Sequence, residues 1–164
     1  MPVTLQGTLT SMTDLNAVVV GVAAFTTAVA GGVYLGFSTM VMPALREASG
    51  ADAVGTMNRI NVRAVRSVFM VAFVGSLLSG VLAGILLLGS LPGADAWLAL
   101  AGAALAVVAF LITAGVNVPL NNRLASTSDA SAFAAFERRW SRANTARGTV
   151  SLLGAASFIG ALVV

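Results

Sequence analysis

GVNVPLNNR, residues 115–123, ends a long apolar run with a proline, three amide side chains and a guanidinium. Thr113, Asn117 and Asn121 are spaced four residues apart, so on a helix they share one face. The segment predicts one wall of a polar pocket at the cytoplasmic end of a bundle of membrane helices. The alternative interpretation is that Asn117 and Pro119 simply end a helix at the lipid headgroups.

The composition of the chain indicates a membrane protein. Of its 164 residues, 58% are hydrophobic and only 9% are charged, whereas a soluble domain carries about 25% charged residues. The lipid bilayer is therefore the expected partner. All nine basic residues are arginines. Because they flank the apolar runs and form no separate basic domain, nucleic-acid binding is not expected.

Cysteine and histidine are both absent from the chain. Their absence excludes disulfides, thiolate nucleophiles, haem-ligating histidines and the usual zinc and copper sites. Neither a Ser-His nor a Cys-His pair can form. We therefore expect no metal and no bound cofactor. The carboxylates all lie outside the apolar runs, which argues against a proton relay within the membrane.

Four apolar segments are long enough to cross a bilayer, for which about 20 residues suffice. They cover residues 15–41, 68–91, 97–120 and 145–164. Pro43 is expected to close the first of them, and residues 1–14 to form a short polar tail. The predicted fold is all-α, a four-helix transmembrane bundle that makes the chain a single integral membrane domain.

Two amphipathic helical extensions are expected between the spans. The capping box at residues 49–52 begins one, which should run into the second span without a break. Residues 126–129 begin the other, in which Phe133, Phe136 and Trp140 follow at helical spacing before the fourth span. Such an aromatic and arginine-rich segment is typical of the membrane interface.

The arginine distribution predicts the orientation in the membrane. The first connection carries four arginines against two acids, and the third carries five against two, whereas the N-terminal tail and the middle turn carry none. By the positive-inside rule both arginine-rich connections are cytoplasmic, and both termini lie outside the cell (inner) membrane. Trp97 is then expected in the outer aromatic belt.

The two halves of the chain resemble each other. Each has a span ending near a proline (Pro43 and Pro119), a polar cap ending in aspartate, and an amphipathic helix with Arg and Asn two residues apart. The pattern suggests a two-fold internal repeat of parallel type. In such a repeat the two Arg/Asn clusters face each other across the centre of the bundle.

Span lengths bring several polar side chains to one depth. Counting about 20 residues back from Val164 and forward from Trp97 leads to the same inner boundary. The residues at that level are Asn117, Asn121, Asn144 and Arg147, with Asn58, Asn61 and Arg63 beside them. An arginine there either extends to lipid phosphates or binds an acceptor inside the bundle, and both readings are open.

Two aromatic residues have similar alternatives. Trp140 lies one helical turn from Asn144, so it either covers the polar site or anchors the chain at the interface. Tyr34 falls within the first span, where its hydroxyl either lines a cavity or bonds a neighbouring helix. Small-residue seams at Gly32 and Gly36, and at residues 76–84, allow close approach of another helix, including that of a homo-oligomer.

Four motifs of the chain resemble the anthrone oxygenase-like family of small four-span membrane proteins. They are Gly31-Gly32-Val33-Tyr34-Leu35-Gly36-Phe37, Met57-Asn58-x2-Asn61, Asn117-x-Pro119-Leu120-Asn121-Asn122-x-Leu124 and Trp140-x3-Asn144-x2-Arg147. The resemblance covers most of the chain. It implies a four-helix membrane bundle and, for some members, oxidation of polyketide anthrones to anthraquinones by dioxygen without a bound redox cofactor.

The resemblance also implies that the site binds an apolar, planar substrate. Arg147, Asn117 and Asn144 are the candidate catalytic residues, because amide and guanidinium donors stabilise a substrate anion. The candidate substrate-binding residues are Asn121, Trp140, Asn61, Arg63 and Tyr34. The family often has a second aromatic residue and a histidine where this chain has Ala143 and Thr145, so water or Glu137 would have to act as the base.

Two other functions fit the same residues. The first is a binder or carrier of a lipid, quinone or polyketide, which holds its apolar small molecule in the pocket without chemistry. The second is an accessory subunit that packs against another membrane protein through the glycine-rich helix faces.

Overall fold

The structure, a computed structural model, describes residues 5–127, 129 and 131–164, with side chains from residue 14 onward. All regular structure in these ranges is helical. The α-helices are α1 (Leu5–Gly36), α2 (Met42–Glu47), α3 (Gly50–Ala64), α4 (Phe69–Leu87), α5 (Ala94–Ile112), α6 (Val118–Ala125) and α7 (Ala132–Val163). Two π-helical turns, Phe37–Val41 and Thr113–Asn117, join α1 to α2 and α5 to α6.

Four helical segments of the described chain are long and apolar enough to cross a membrane. Helix α1 packs against α4 and α7, and α5 packs against the same two helices. The four long helices therefore form a closed ring. The predicted all-α four-helix bundle of a multi-pass membrane protein is confirmed, whereas its orientation in the membrane stays a prediction.

One half of the bundle, here called the terminal half, contains the start of α1, the α4–α5 turn and the end of α7. Its core is built from alanines and glycines around the fully buried ring of Phe158. A Cβ atom added at Gly80 would lie 3.3 Å from that ring. The seam at residues 76–84 is therefore used inside the bundle. Gly32 has nothing within 4 Å of an added Cβ, and assembly of copies through that face stays a prediction.

The prolines do not end the first and third spans. Each follows a π-helical turn, and the helical path continues through it to Glu47 in one case and Ala125 in the other. Proline is tolerated at the start of a helical segment because no backbone donor is needed there. No helix end is therefore found at residue 41 or 120, and the interpretation in which Asn117 ends a helix is wrong, whereas the membrane boundaries of the spans stay predictions.

Helices α3 and α4 are separate, contrary to the unbroken helix predicted from the amphipathic pattern. The Ser67 hydroxyl donates to the carbonyl of Ala64 (2.8 Å) and accepts from the backbone N–H of Phe69 (3.2 Å). A serine that bonds the backbone in this way competes with helical hydrogen bonds. The chain consequently turns at residues 65–68, beside the site described below.

Helix boundaries differ from the prediction at both ends of the chain. Helix α1 already begins at Leu5, so most of the expected tail is helical. Helix α7 begins at Ala132, and of the predicted start at residues 126–129, residue 128 lies outside the described ranges. The hydroxyl of Ser131 donates to the Asp129 carboxylate (2.7 Å), and its N–H does so too (2.8 Å), which holds the pKa of Asp129 below its usual value.

Large side chains fill the other half of the bundle, here called the cavity half. Its core combines residues of α2, α3, α6 and the first turns of α7, including Met42, Met57, Phe136 and Trp140. The amphipathic extensions therefore fold over this end of the bundle. Helix α7 continues without interruption into the fourth span, so no helix boundary occurs at residue 145. Its counterpart in the first half of the chain, α3, is separated from α4.

Candidate functional site

A cavity of about 440 Å³ lies in the cavity half, between α1, α3, α4, α6 and α7. Its volume falls within the roughly 300–1,000 Å³ range of small-molecule sites. Most of the wall is apolar. The aromatic residues that line it are Tyr34, Phe37, Phe69, Phe73 and Trp140. Flat side chains on several walls suit a flat aromatic ligand, because rings associate through offset and edge contacts.

Arg147 lines this cavity and is only 8% exposed. Its guanidinium carbon is 4.0 Å from the ring centroid of Tyr34 and 5.5 Å from that of Trp140. Among the described residues, no carboxylate lies within ion-pair distance of it. A buried cation that is held only by neutral groups and aromatic faces leaves a positive potential in the cavity.

Hydrogen bonds fix the orientation of this guanidinium. Its Nε and Nη2 atoms donate to Asn144 Oδ1 at 3.1 and 2.8 Å, and Nη1 donates to Thr113 Oγ1 at 3.0 Å. Thr113 in turn donates to the carbonyl of Ala109. A guanidinium has five N–H donors, so this arrangement leaves donors for a ligand.

Asn144 supports Arg147 from behind and does not line the cavity. It is fully buried, and its Nδ2 donates to the Tyr34 carbonyl (2.6 Å) and to Ser38 Oγ (2.8 Å). Since its Oδ1 accepts from Arg147, all its hydrogen-bonding groups are used. It connects the guanidinium to α1 and to the π-helical turn that follows.

Two asparagines hold Trp140 in a similar way. Asn117 Nδ2 donates to the Trp140 carbonyl (3.3 Å), and the indole Nε1 of Trp140 donates to Asn121 Oδ1 (2.8 Å). Asn121 and Trp140 line the cavity, whereas Asn117 is buried behind it. The second π-helical turn and α6 thus set the position of the indole, and π-helical turns are frequent at functional sites.

Helix α3 supplies a further wall of the cavity, with two polar residues. Asn61 and Arg63 both line it. The Nδ2 atom of Asn61 is buried and has no hydrogen-bond partner among the described residues. Arg63 is exposed. Asn61 and Arg63 of the first Arg/Asn cluster and Arg147 of the second therefore line one cavity, whereas the internal repeat stays a prediction.

Six of the eight candidate site residues meet at this cavity. They are Tyr34, Asn61, Arg63, Asn121, Trp140 and Arg147. Asn117 and Asn144 lie behind it, where they position Trp140 and Arg147. Glu137 is not among the residues that line the cavity, so the suggestion that it acts as a base there is not supported. Its Oε1 instead pairs with Arg46 (2.8 Å) and accepts from Ser141 (3.1 Å).

Sequence reasoning missed several residues of the site. Phe69 and Phe73 form one aromatic wall, four residues apart on α4. Ser38, which accepts from Asn144, completes the polar support, whereas Thr113 was already placed on the predicted pocket face by its spacing from Asn117. Hydroxyl residues inside an apolar run need partners in the bundle, so Ser38 carried a usable signal, whereas phenylalanines in a span cannot be told from lipid-facing residues.

Among the comparisons with known proteins, one family model matches the chain. The family model described as anthrone oxygenase matches residues 57–157, more than half of the chain. The matched region begins within α3 and includes Asn61, Trp140 and Arg147. No curated protein and no solved structure matches the chain.

Proposed function

Because the chain belongs to the anthrone oxygenase family, we propose that it oxidises a planar phenolic or polyketide substrate with dioxygen, without a bound redox cofactor. The observation that carries this proposal is the buried guanidinium of Arg147 beneath an aromatic cavity. Such a cavity accepts a flat, apolar ring system. The buried cation in its wall favours the anionic form of a bound phenolic or polyketide substrate.

The first chemical step is the loss of a proton from the substrate. An anthrone carries an acidic CH₂ group opposite its carbonyl, and removing a proton there places negative charge on the carbonyl oxygen. The free N–H groups of Arg147 stabilise this oxyanion in a site of low dielectric constant. No carboxylate is among the described residues that line the cavity, so the proton passes to water.

Dioxygen is the oxidant in the steps that follow. One electron passes from the substrate anion to dioxygen, and the resulting radical and superoxide combine at the former CH₂ carbon to give a peroxide. Loss of water then breaks the O–O bond and leaves a second carbonyl. The substrate has lost two hydrogens and gained one oxygen, and the other oxygen leaves as water.

Oxygen uptake tests this proposal directly. We expect the protein in lipid nanodiscs to consume oxygen with 1,8-dihydroxyanthrone and form the anthraquinone, above the rate in empty nanodiscs. Arg147→Gln should lower the rate about 100-fold, the effect of losing one oxyanion donor. The matched control is Arg142→Gln, because Arg142 is an exposed arginine on the same helix. Full activity of Arg147→Gln, or no activity of the unmodified protein, would refute the proposal.

A second candidate function is binding without turnover. It is favoured by the lack of a side-chain base: the sequence has no histidine, and the family's frequent histidine is replaced here at Ala143 or Thr145. The protein would then carry a quinone, polyketide or lipid. Saturable binding of an anthraquinone without oxygen uptake from an anthrone would distinguish this function from the first.

A further inference from the structure

Hydrogen-bond donors occur at two separate places along the cavity wall. Arg147 lies on α7 and is buried, whereas Asn61 and Arg63 lie on α3, where Arg63 is exposed. The Asn61 Nδ2 donor has no partner among the described residues, although the atom is buried. A buried donor that lacks an acceptor costs about 1–3 kcal/mol. The α3 wall is therefore suited to a ligand that supplies an acceptor.

Arg63 differs from the other arginines of this region. Arg59 donates to Thr56 Oγ1 (2.8 Å) on its own helix, and neither Arg59 nor Arg66 lines the cavity. The described lining thus has two guanidinium groups, Arg63 and Arg147, and no carboxylate. A ligand with a single oxyanion at Arg147 would make no use of the Arg63 guanidinium or of the free Asn61 donor.

We propose that the ligand of this cavity is a planar aromatic compound with an anionic substituent, such as a carboxylate, on the edge remote from Arg147. Arg63 and Asn61 bind that substituent, and Arg147 binds the oxygen of the ring at the other end. The identity of the ring as a substrate rests on the proposed function. The preference for a negative charge does not depend on turnover and is measured as binding.

The aromatic walls distinguish this ligand from an anionic lipid. A fatty acid also combines an apolar body with a carboxylate, but its flexible chain gains little from flat ring faces. The rings of Tyr34 and Phe69 pack edge to face at 5.8 Å, and Phe69 stacks on Phe73 at 6.1 Å. These preformed flat surfaces favour a rigid ring system, for which little conformational entropy is lost on binding.

The test compares an anionic ligand with its uncharged methyl ester. Anthraquinone-2-carboxylate and its methyl ester are titrated by calorimetry into the protein in nanodiscs of neutral lipid, with empty nanodiscs as the blank. We expect the carboxylate to bind about tenfold more tightly than the ester, since a charge-assisted hydrogen bond contributes at least that factor. Arg63→Gln should remove this preference, whereas Arg66→Gln, an exposed arginine three residues away, should keep it.

Several outcomes would overturn the inference. They are equal binding of the two ligands, a preference that survives Arg63→Gln, and displacement of the carboxylate by palmitate at an equal concentration, which would indicate a lipid site. Failure of the proposed function is a separate result: the protein would then prefer the carboxylate but consume no oxygen with neutral 1,8-dihydroxyanthrone. Oxygen uptake without any charge preference would instead remove only the inference about Arg63.

Discussion

The two halves of the bundle are built from the same four long helices but pack in opposite ways. In the terminal half, alanines and glycines surround Phe158, and a Cβ atom added at Gly102 would lie 2.8 Å from that ring. In the cavity half, large side chains and an arginine–asparagine network surround a cavity of about 440 Å³. Small residues bring helices together, whereas large aromatic residues hold them far enough apart for a ligand.

The π-helical turns occur only in the cavity half of the described chain, and they lie beside the polar network. One contains Ser38, which accepts from Asn144, and the other contains Asn117, which donates to the carbonyl of Trp140. A π-helical turn shifts the side chains that follow it around the helix axis. The site is therefore built with local departures from regular α-helix. The terminal half is built from regular long helices around small residues.

The largest effect on stability is expected for Asn144→Ala. The substitution removes bonds to Tyr34 and Ser38 and leaves two donors of the Arg147 guanidinium without an acceptor. We expect a loss of about 2–4 kcal/mol in the free energy of unfolding, because a buried charged donor is left unpaired. Unfolding in mixed micelles, followed by circular dichroism, measures this loss. The control is Thr145→Ala, whose exposed hydroxyl makes one bond to Ser38; an equal effect of the two substitutions would contradict the network.

A smaller loss is expected where the terminal half is overfilled. Gly102→Ala places a methyl group against Phe158, and overpacking costs about 1–3 kcal/mol. Gly32→Ala is the matched control, since both substitutions gain the same helix propensity and Gly32 has open space. Thermal unfolding should show a lower midpoint for Gly102→Ala alone. Equal midpoints would mean that the terminal half is loosely packed, and that the two halves do not differ as described.

The smallest effect is expected for the ion pair at the edge of the cavity half. Arg46 is 60% exposed as a side chain, and its partner Glu137 is 9% exposed. Solvent screening limits such a pair to about 0.5–1 kcal/mol. A double-mutant cycle with Arg46→Ala and Glu137→Gln measures the coupling free energy. A coupling of zero would mean that the Arg46–Glu137 pair contributes nothing to the free energy of unfolding.

Much of the fold could be predicted because hydropathy and length identify membrane spans without tertiary information. The π-helical turns could not, since their sequences, FSTMV and TAGVN, have ordinary compositions. Pro43 and Pro119 therefore resembled helix ends. The break before α4 did leave a signal, because Ser67 two residues before Phe69 is a typical backbone-bonding serine, although the amphipathic pattern around it continues across the break.

The site was partly predictable for a similar reason. Counting residues along each span brought Asn117 and Arg147 to one depth, and depth is set by chain length. Which side of each helix faces the cavity depends on packing between helices distant in sequence. That dependence explains why Asn144 and Asn117 lie behind the wall, and why the partner of Glu137 on α2 could not be found from its local sequence.

A planar ligand that binds beside Trp140 and Arg147 should be detectable by tryptophan fluorescence. The chain has two tryptophans; Trp97→Phe leaves only Trp140, 2% exposed in the cavity half, and Trp140→Phe leaves only Trp97, 60% exposed in the terminal half. We expect an anthraquinone to quench Trp140 saturably, and Arg147→Gln to weaken that binding about tenfold, as expected for loss of a charged hydrogen bond. Quenching of Trp140 that does not saturate and is no stronger than that of Trp97 would contradict the account.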